Sequence, residues 1–109
     1  MTEKSEKYLS DILMSIDLIQ EFTAGLDYLA YDKDRKTQSA VERQLAIIGE
    51  ALNQFKKLEP SVIIVNDKQI VSFRNRLVHA YDSLDNSIIW VVIKRHLEPL
   101  KVEIEGLIR

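Results

Sequence analysis

An antiparallel, up-and-down bundle of four to five α-helices is the fold this sequence predicts, and three observations predict it. The 109 residues include only three glycines and two prolines, so helices can run long before anything interrupts them. Apolar residues recur at three- and four-residue spacing along most of the chain. A hydrophobic fraction of 46% and a charged fraction of 29% belong to a soluble globular chain, long enough to bury a core without staples.

Leu9, Ile12, Leu13, Ile16, Ile19 and Phe22 keep helical spacing and predict a first helix from about Ser5 to Thr23. "GLDYLAYD" (25–32) reads as a turn with room for one short helix. Val41, Leu45, Ile48, Leu52, Phe55 and Leu58 mark a long second helix that stops before Pro60. Its start is open: Asp34 can cap it, or Ser39 can form a capping box with Glu42. "SVIIVND" (61–67) is β-branched, but no other stretch offers it a strand partner, so it reads as a buried connection. Ile70, Phe73 and Leu77 carry a third long helix ending near His79. Asp85 is the expected N-cap of a fourth, carried by Ile89, Ile93, Leu97, Leu100, Ile104 and Leu107. Pro99 lies inside that pattern without an N–H to donate, so a kink or break is expected there. With no repeats, linkers or low-complexity tracts, residues 1–109 read as a single domain.

Composition excludes several functions. A chain without cysteine has no disulfides, thiol nucleophile or cysteine zinc site, which agrees with a cytoplasmic location. The longest apolar run, "SIIWVVI" (87–93), is too short to span a bilayer, and "MTEKSEKY" lacks signal-peptide character. No membrane partner is expected. A net charge of −2 argues against a general nucleic-acid coat, so RNA contact must come from a local basic patch. No P-loop, zinc motif or Ser-His-Asp pattern is present. The acids of "YDKDR" (31–35) read as helix caps before metal ligands, and neither a metal nor a cofactor is expected. "KRH" (94–96) reads as a solvated face before an RNA-binding surface. Glu50, beside Gly49, reads as either an acid supporting a site or the neighbour of a mid-helix glycine that allows close packing.

"SIIWVVI" also carries apolar residues on every side of its helix. Such a helix is buried on more than one side. Either it is central to the fold, or a second copy covers the face around Trp90; a homodimer is the reading preferred here.

"FRNRLVHAYDSLD" (73–85) crowds two arginines, an amide, a histidine and a tyrosine together. Arg76 and Asn75 precede His79 by three and four residues and share its helical face. Arg74 precedes it by five, roughly 140° around a regular helix. Two copies meeting across a two-fold axis would bring Arg74 and His79 to one point, as would unwinding after Val78. Histidine moves protons near neutrality, and arginine holds phosphate oxygens and a crowded anionic transition state. RNA supplies its own nucleophile in the 2′-hydroxyl, so strand cleavage needs no metal. The plain alternative is a basic helix end that complements the macrodipole.

Arg74, Asn75, His79 and Tyr81, as spaced in "RNRLVHAYDSLD", resemble the signature of the HEPN superfamily, and most closely its HepT-like toxin branch. "AVERQLAIIGEAL" (40–52) is similar to that family's long helix, and Trp90 stands where the family usually has an aromatic. The resemblance covers nearly the whole chain. "PSVIIVNDKQIVSF" (60–73) departs from the Pro-Trp and Gly common in relatives before the motif. The resemblance implies an all-α HEPN bundle and a homodimer. It also implies a metal-independent RNase site shared between two copies, with Arg74 and His79 catalytic and Asn75 and Arg76 in support. It further implies an antitoxin partner, a minimal nucleotidyltransferase that attaches AMP to Tyr81; RNA is the substrate and DNA no partner. Two other functions stand beside the toxin. One is a non-catalytic subunit that presents nucleotide or substrate to a nucleotidyltransferase. The other is a purely structural dimerisation module, which would have no use for His79.

Overall fold

Short polar side chains start four of the helices. The computed structural model describes residues 1–72 and 85–108, and among these the regular structure is all helical. Thr2 caps helix α1 (Glu3–Thr23), its hydroxyl accepting from Ser5 N at 3.1 Å. The chain leaves α1 through Gly25, whose φ of 78° is open to glycine and strained for other residues. Asp27 caps the short α2 (Tyr28–Lys33) by accepting from Ala30 N at 2.8 Å. Asp34 then starts α3 (Arg35–Leu58), accepting from Thr37 N at 3.0 Å and Thr37 Oγ1 at 2.6 Å. The open choice between Asp34 and Ser39 is thereby decided for Asp34.

Residues 68–72 are helical, and most of the third predicted helix lies outside the described residues. Asp85 caps α4 (Asn86–Val91) by accepting from Ser87 N at 2.8 Å. A π-helical turn (Val92–His96) follows, and α5 (Leu97–Ile108) completes the chain's helical run.

The core follows from the predicted stripes. Leu9, Ile12, Ile16 and Ile19 of α1 meet Val41, Leu45, Ile48, Leu52 and Phe55 of α3, and all are fully buried. Truncating one such side chain to Ala costs about 2–5 kcal/mol. The two helices run antiparallel, since Ser5 near the start of α1 lies 3.5 Å from Glu59 just past the end of α3. α5 also runs antiparallel to α1: Gln20 donates to Glu98 at 2.9 Å, and Lys101 pairs with Asp17 at 3.1 Å. The fold is an all-α helical bundle. Among the described residues, no helix is long and apolar enough to cross a membrane.

Two local expectations need correction. The last helix does not break at Pro99. Its irregularity falls one turn earlier, where Leu97 N–H reaches back to Val92 O across a π turn. A proline ring collides with the carbonyl four residues before it, here that of Arg95, and a widened turn at that carbonyl relieves the clash. "SVIIVND" is not buried as a unit either. Ile64 is buried, but Ile63 and Val65 are 81% and 69% exposed. The segment is a loop whose backbone is held from outside: Glu103 of α5 accepts from Val65 N at 2.8 Å, Asn66 N at 3.0 Å and Asn66 Nδ2 at 2.9 Å.

Candidate functional site

Arg74, Asn75, Arg76, His79 and Tyr81 lie outside the described residues. What the structure defines is the frame on either side of the segment that carries them. On the N-terminal side stands Asp67, 1% exposed. Its carboxylate forms an ion pair with Lys56 of α3. Its carbonyl accepts from Ile70 N at 3.1 Å and Val71 N at 3.0 Å. The helical stretch leading into the motif is thus tied at its first turn to α3. On the C-terminal side, Ser87 donates from both hydroxyl and backbone to Asp85, holding that carboxyl below the ordinary aspartate range.

Trp90 sits just beyond that cap, within an aromatic cluster. Its ring lies 5.2 Å from Tyr31 and 6.3 Å from Tyr28, centroid to centroid, and Lys94 Nζ stands 4.7 Å from its centroid. Tyr31 is fully buried, and its hydroxyl has no hydrogen-bond partner among the described residues. Burial first, then the nearby Glu42 and Asp34 carboxylates, push its pKa far up. Tyr28 is raised as well, by desolvation first and then by Asp32 and Asp85. These tyrosines stay neutral across the physiological range.

Trp90 therefore finds part of its burial within its own chain. Around it Ile89, Val92 and Ile93 enter the core, while Ile88 and Val91 are 41% and 43% exposed. An interface role for Trp90 would rest on these two neighbours.

The acids of "YDKDR" have local tasks. Asp32 accepts from Asn86 Nδ2 at 3.0 Å, and Asp34 caps α3. Among the described residues, no group of three or more His, Cys, Asp or Glu is placed to hold a metal ion. In "KRH", Lys94 and Arg95 are exposed and His96 half-buried. Gly49 is buried, while Glu50 is exposed and accepts from Gln54 Nε2 at 2.9 Å. Glu50 also lines a groove of about 390 Å³ between α1 and α3, together with Tyr8, Asp11, Arg43, Ala46, Ile47 and Ala51. From the sequence, Trp90 and Glu50 stood out singly. Their surroundings did not, because no periodicity links Tyr31 to Trp90 or Tyr8 to Glu50.

A family model described as "Ribonuclease HepT-like" matches residues 12–107. A Thermococcus cleftensis protein named as a probable ribonuclease HepT is 37% identical over 111 aligned residues, covering 98% of each chain. A Methanocaldococcus jannaschii protein named as a candidate RNase is 35% identical, covering 90% of this chain and 91% of its own. A second candidate RNase of that organism is 36% identical, covering 94% of this chain and 85% of its own. No solved structure gives a significant match.

Proposed function

Because this chain belongs to the ribonuclease HepT-like family of the HEPN superfamily, we propose that it is a metal-independent endoribonuclease, the toxin of a toxin–antitoxin pair. The observation that carries the proposal is the span of the family match, residues 12–107, which takes in the segment that carries Arg74, Asn75, His79 and Tyr81. The relatives' ribonuclease names point the same way. One chain is one HEPN unit, and two units form a homodimer in the cytoplasm.

The chemistry belongs to the RNA as much as to the protein. The 2′-hydroxyl attacks the adjacent phosphorus as His79 takes its proton; a 2′,3′-cyclic phosphate forms, the bond to the 5′-oxygen breaks, and the departing oxygen takes a proton from water. Arg74 holds the non-bridging oxygens, whose negative charge grows in the transition state. Asn75 and Arg76 hold the substrate phosphate nearby. On a regular helix Arg74 and His79 diverge by roughly 140°, so a site shared by two copies resolves the geometry. A minimal nucleotidyltransferase acts as antitoxin by transferring AMP to Tyr81.

The test is cleavage of single-stranded RNA by unmodified protein in EDTA. Cutting is expected to persist in EDTA and to disappear in Arg74→Ala and His79→Ala, with helical circular dichroism unchanged. Activity that vanishes in EDTA and returns with magnesium would overturn the mechanism.

A further inference from the structure

Resting on the ribonuclease reading above, we infer that Glu103 is a positioning residue for the proposed cleavage. Its carboxylate fixes the loop from which the motif segment starts. Glu103 accepts three hydrogen bonds at once, from Val65 N at 2.8 Å, Asn66 N at 3.0 Å and Asn66 Nδ2 at 2.9 Å. The next residue is Asp67, whose carbonyl accepts from Ile70 N and Val71 N. That turn opens the helical stretch at 68–72, which leads toward Arg74. The clasp and the entry to the motif are therefore contiguous in the chain.

Glu103 stands on a well-anchored part of α5. Leu100 and Ile104 on either side of it are fully buried, and Lys101 ties the same stretch to Asp17 of α1 at 3.1 Å. The loop is anchored more sparsely. Ile64 enters the core and Val62 packs against it, whereas Ile63 and Val65 stand in solvent. Two apolar contacts set how deep the loop sits. Three directional, charge-assisted bonds set how it is turned. On the other side, the Lys56–Asp67 ion pair ties the same turn to α3. The entry to the motif is slung between α3 and α5.

Position is more sensitive to this clasp than stability is. The three bonds lie at the surface, so water takes over the freed donors when Glu103 is removed, and the bundle core is untouched. Geometry has no such substitute. Over the eight residues from Asn66 to Arg74, the helix that the sequence predicts would rise about 12 Å. A tilt of roughly 5° at the loop moves the far end of such a helix by about 1 Å, and a misplacement of that size costs up to about 100-fold in rate.

Two readouts on the full chain test the assignment. In hydrogen–deuterium exchange, Glu103→Ala is expected to speed exchange at the Ile70 and Val71 amides about tenfold or more, while the α1 and α3 amides keep their protection. In cleavage of single-stranded RNA it is expected to lower kcat roughly 10- to 100-fold, with a smaller change in KM. Asn66→Ala is expected to act in the same direction. The double variant should be no slower than Glu103→Ala, since both changes open one clasp. Glu103→Gln keeps an acceptor oxygen and is expected to recover part of the rate. Ile19→Val, a core truncation in α1, separates position from stability: comparably destabilised, it is expected to keep the wild-type kcat. A wild-type chain that cuts no RNA would overturn the ribonuclease reading and this inference with it. Wild-type cutting with kcat unchanged in Glu103→Ala, or lowered as far in Ile19→Val, would overturn the positioning role alone.

Discussion

The Trp90 and Tyr31 rings lie 5.2 Å apart, centroid to centroid, tilted by 35°. The contact joins α2 to α4 and seats the helix that follows the segment carrying the Arg74–Tyr81 motif. Burial of two large aromatics, with about 1 kcal/mol of specific ring pairing, is what it contributes to the fold. Trp90→Ala is expected to lower the unfolding free energy by about 2–4 kcal/mol. A double-mutant cycle with Tyr31→Leu is expected to give a coupling of about 1 kcal/mol in urea denaturation. Additive effects would show that the two rings do not support each other.

Glu103 gives the fold a dependence on pH. Burial alone would raise its pKa, but bonds from Val65 N, Asn66 N and Asn66 Nδ2 outweigh it and hold the carboxyl below the ordinary 4.5. As pH falls through 4.5, the unfolded chain takes up the proton before the folded one does. The clasp's contribution is therefore complete above that value and is lost as pH falls below it. Glu103→Gln is expected to cost about 1 kcal/mol at pH 7 and to flatten the fall in stability as the pH drops below the ordinary 4.5. A variant with an unchanged curve would show that another carboxylate is responsible.

How much was legible in the sequence depended on whether the signal was local. The stripes of α1 and α3 and the Asp85 cap were readable because helical periodicity and capping act within a few residues. The loop at 61–67 was misjudged because its β-branched composition resembles buried chain, whereas its anchor, Glu103, lies far away in sequence. Pro99 correctly signalled an irregularity. The π turn that absorbs it depends on packing around Val92 and Ile93, which composition does not encode. The motif from Arg74 to Tyr81 was legible as a string, and it lies outside the described residues.

The Lys56–Asp67 ion pair carries the next expectation. Asp67 is buried, and Lys56 is its cationic partner. Removing the lysine strands a charge inside the fold, at the turn that leads toward Arg74. Lys56→Ala is expected to destabilise by about 2 kcal/mol, less than for a fully buried pair because the lysine is 43% exposed. Lys56→Ala combined with Asp67→Asn is expected to recover part of the loss. RNA cleavage should fall in the single variant before global unfolding does, measured by cutting rate along a urea series. Parallel loss of both would show that the pair supports the bundle as a whole.

Tyr81 is where the proposed antitoxin would act. The hydroxyl attacks the α-phosphorus of ATP, pyrophosphate leaves, and the phenolic proton passes to a base of the nucleotidyltransferase. The product carries AMP through a phosphodiester with one negative charge. Two residues from His79 in sequence, that phosphate would pair with Arg74 or Arg76 and take the place of the scissile phosphate. Co-expression with the cognate nucleotidyltransferase is expected to add the mass of AMP to a peptide containing Tyr81 and to silence cleavage. Tyr81→Phe is expected to escape the modification and stay toxic beside the partner. If unmodified Tyr81→Phe already cuts slowly, the hydroxyl also serves cleavage, and the rate of the purified variant separates the two roles. A fully inhibited complex with bare Tyr81, seen by mass spectrometry, would show that the partner silences this chain by covering it.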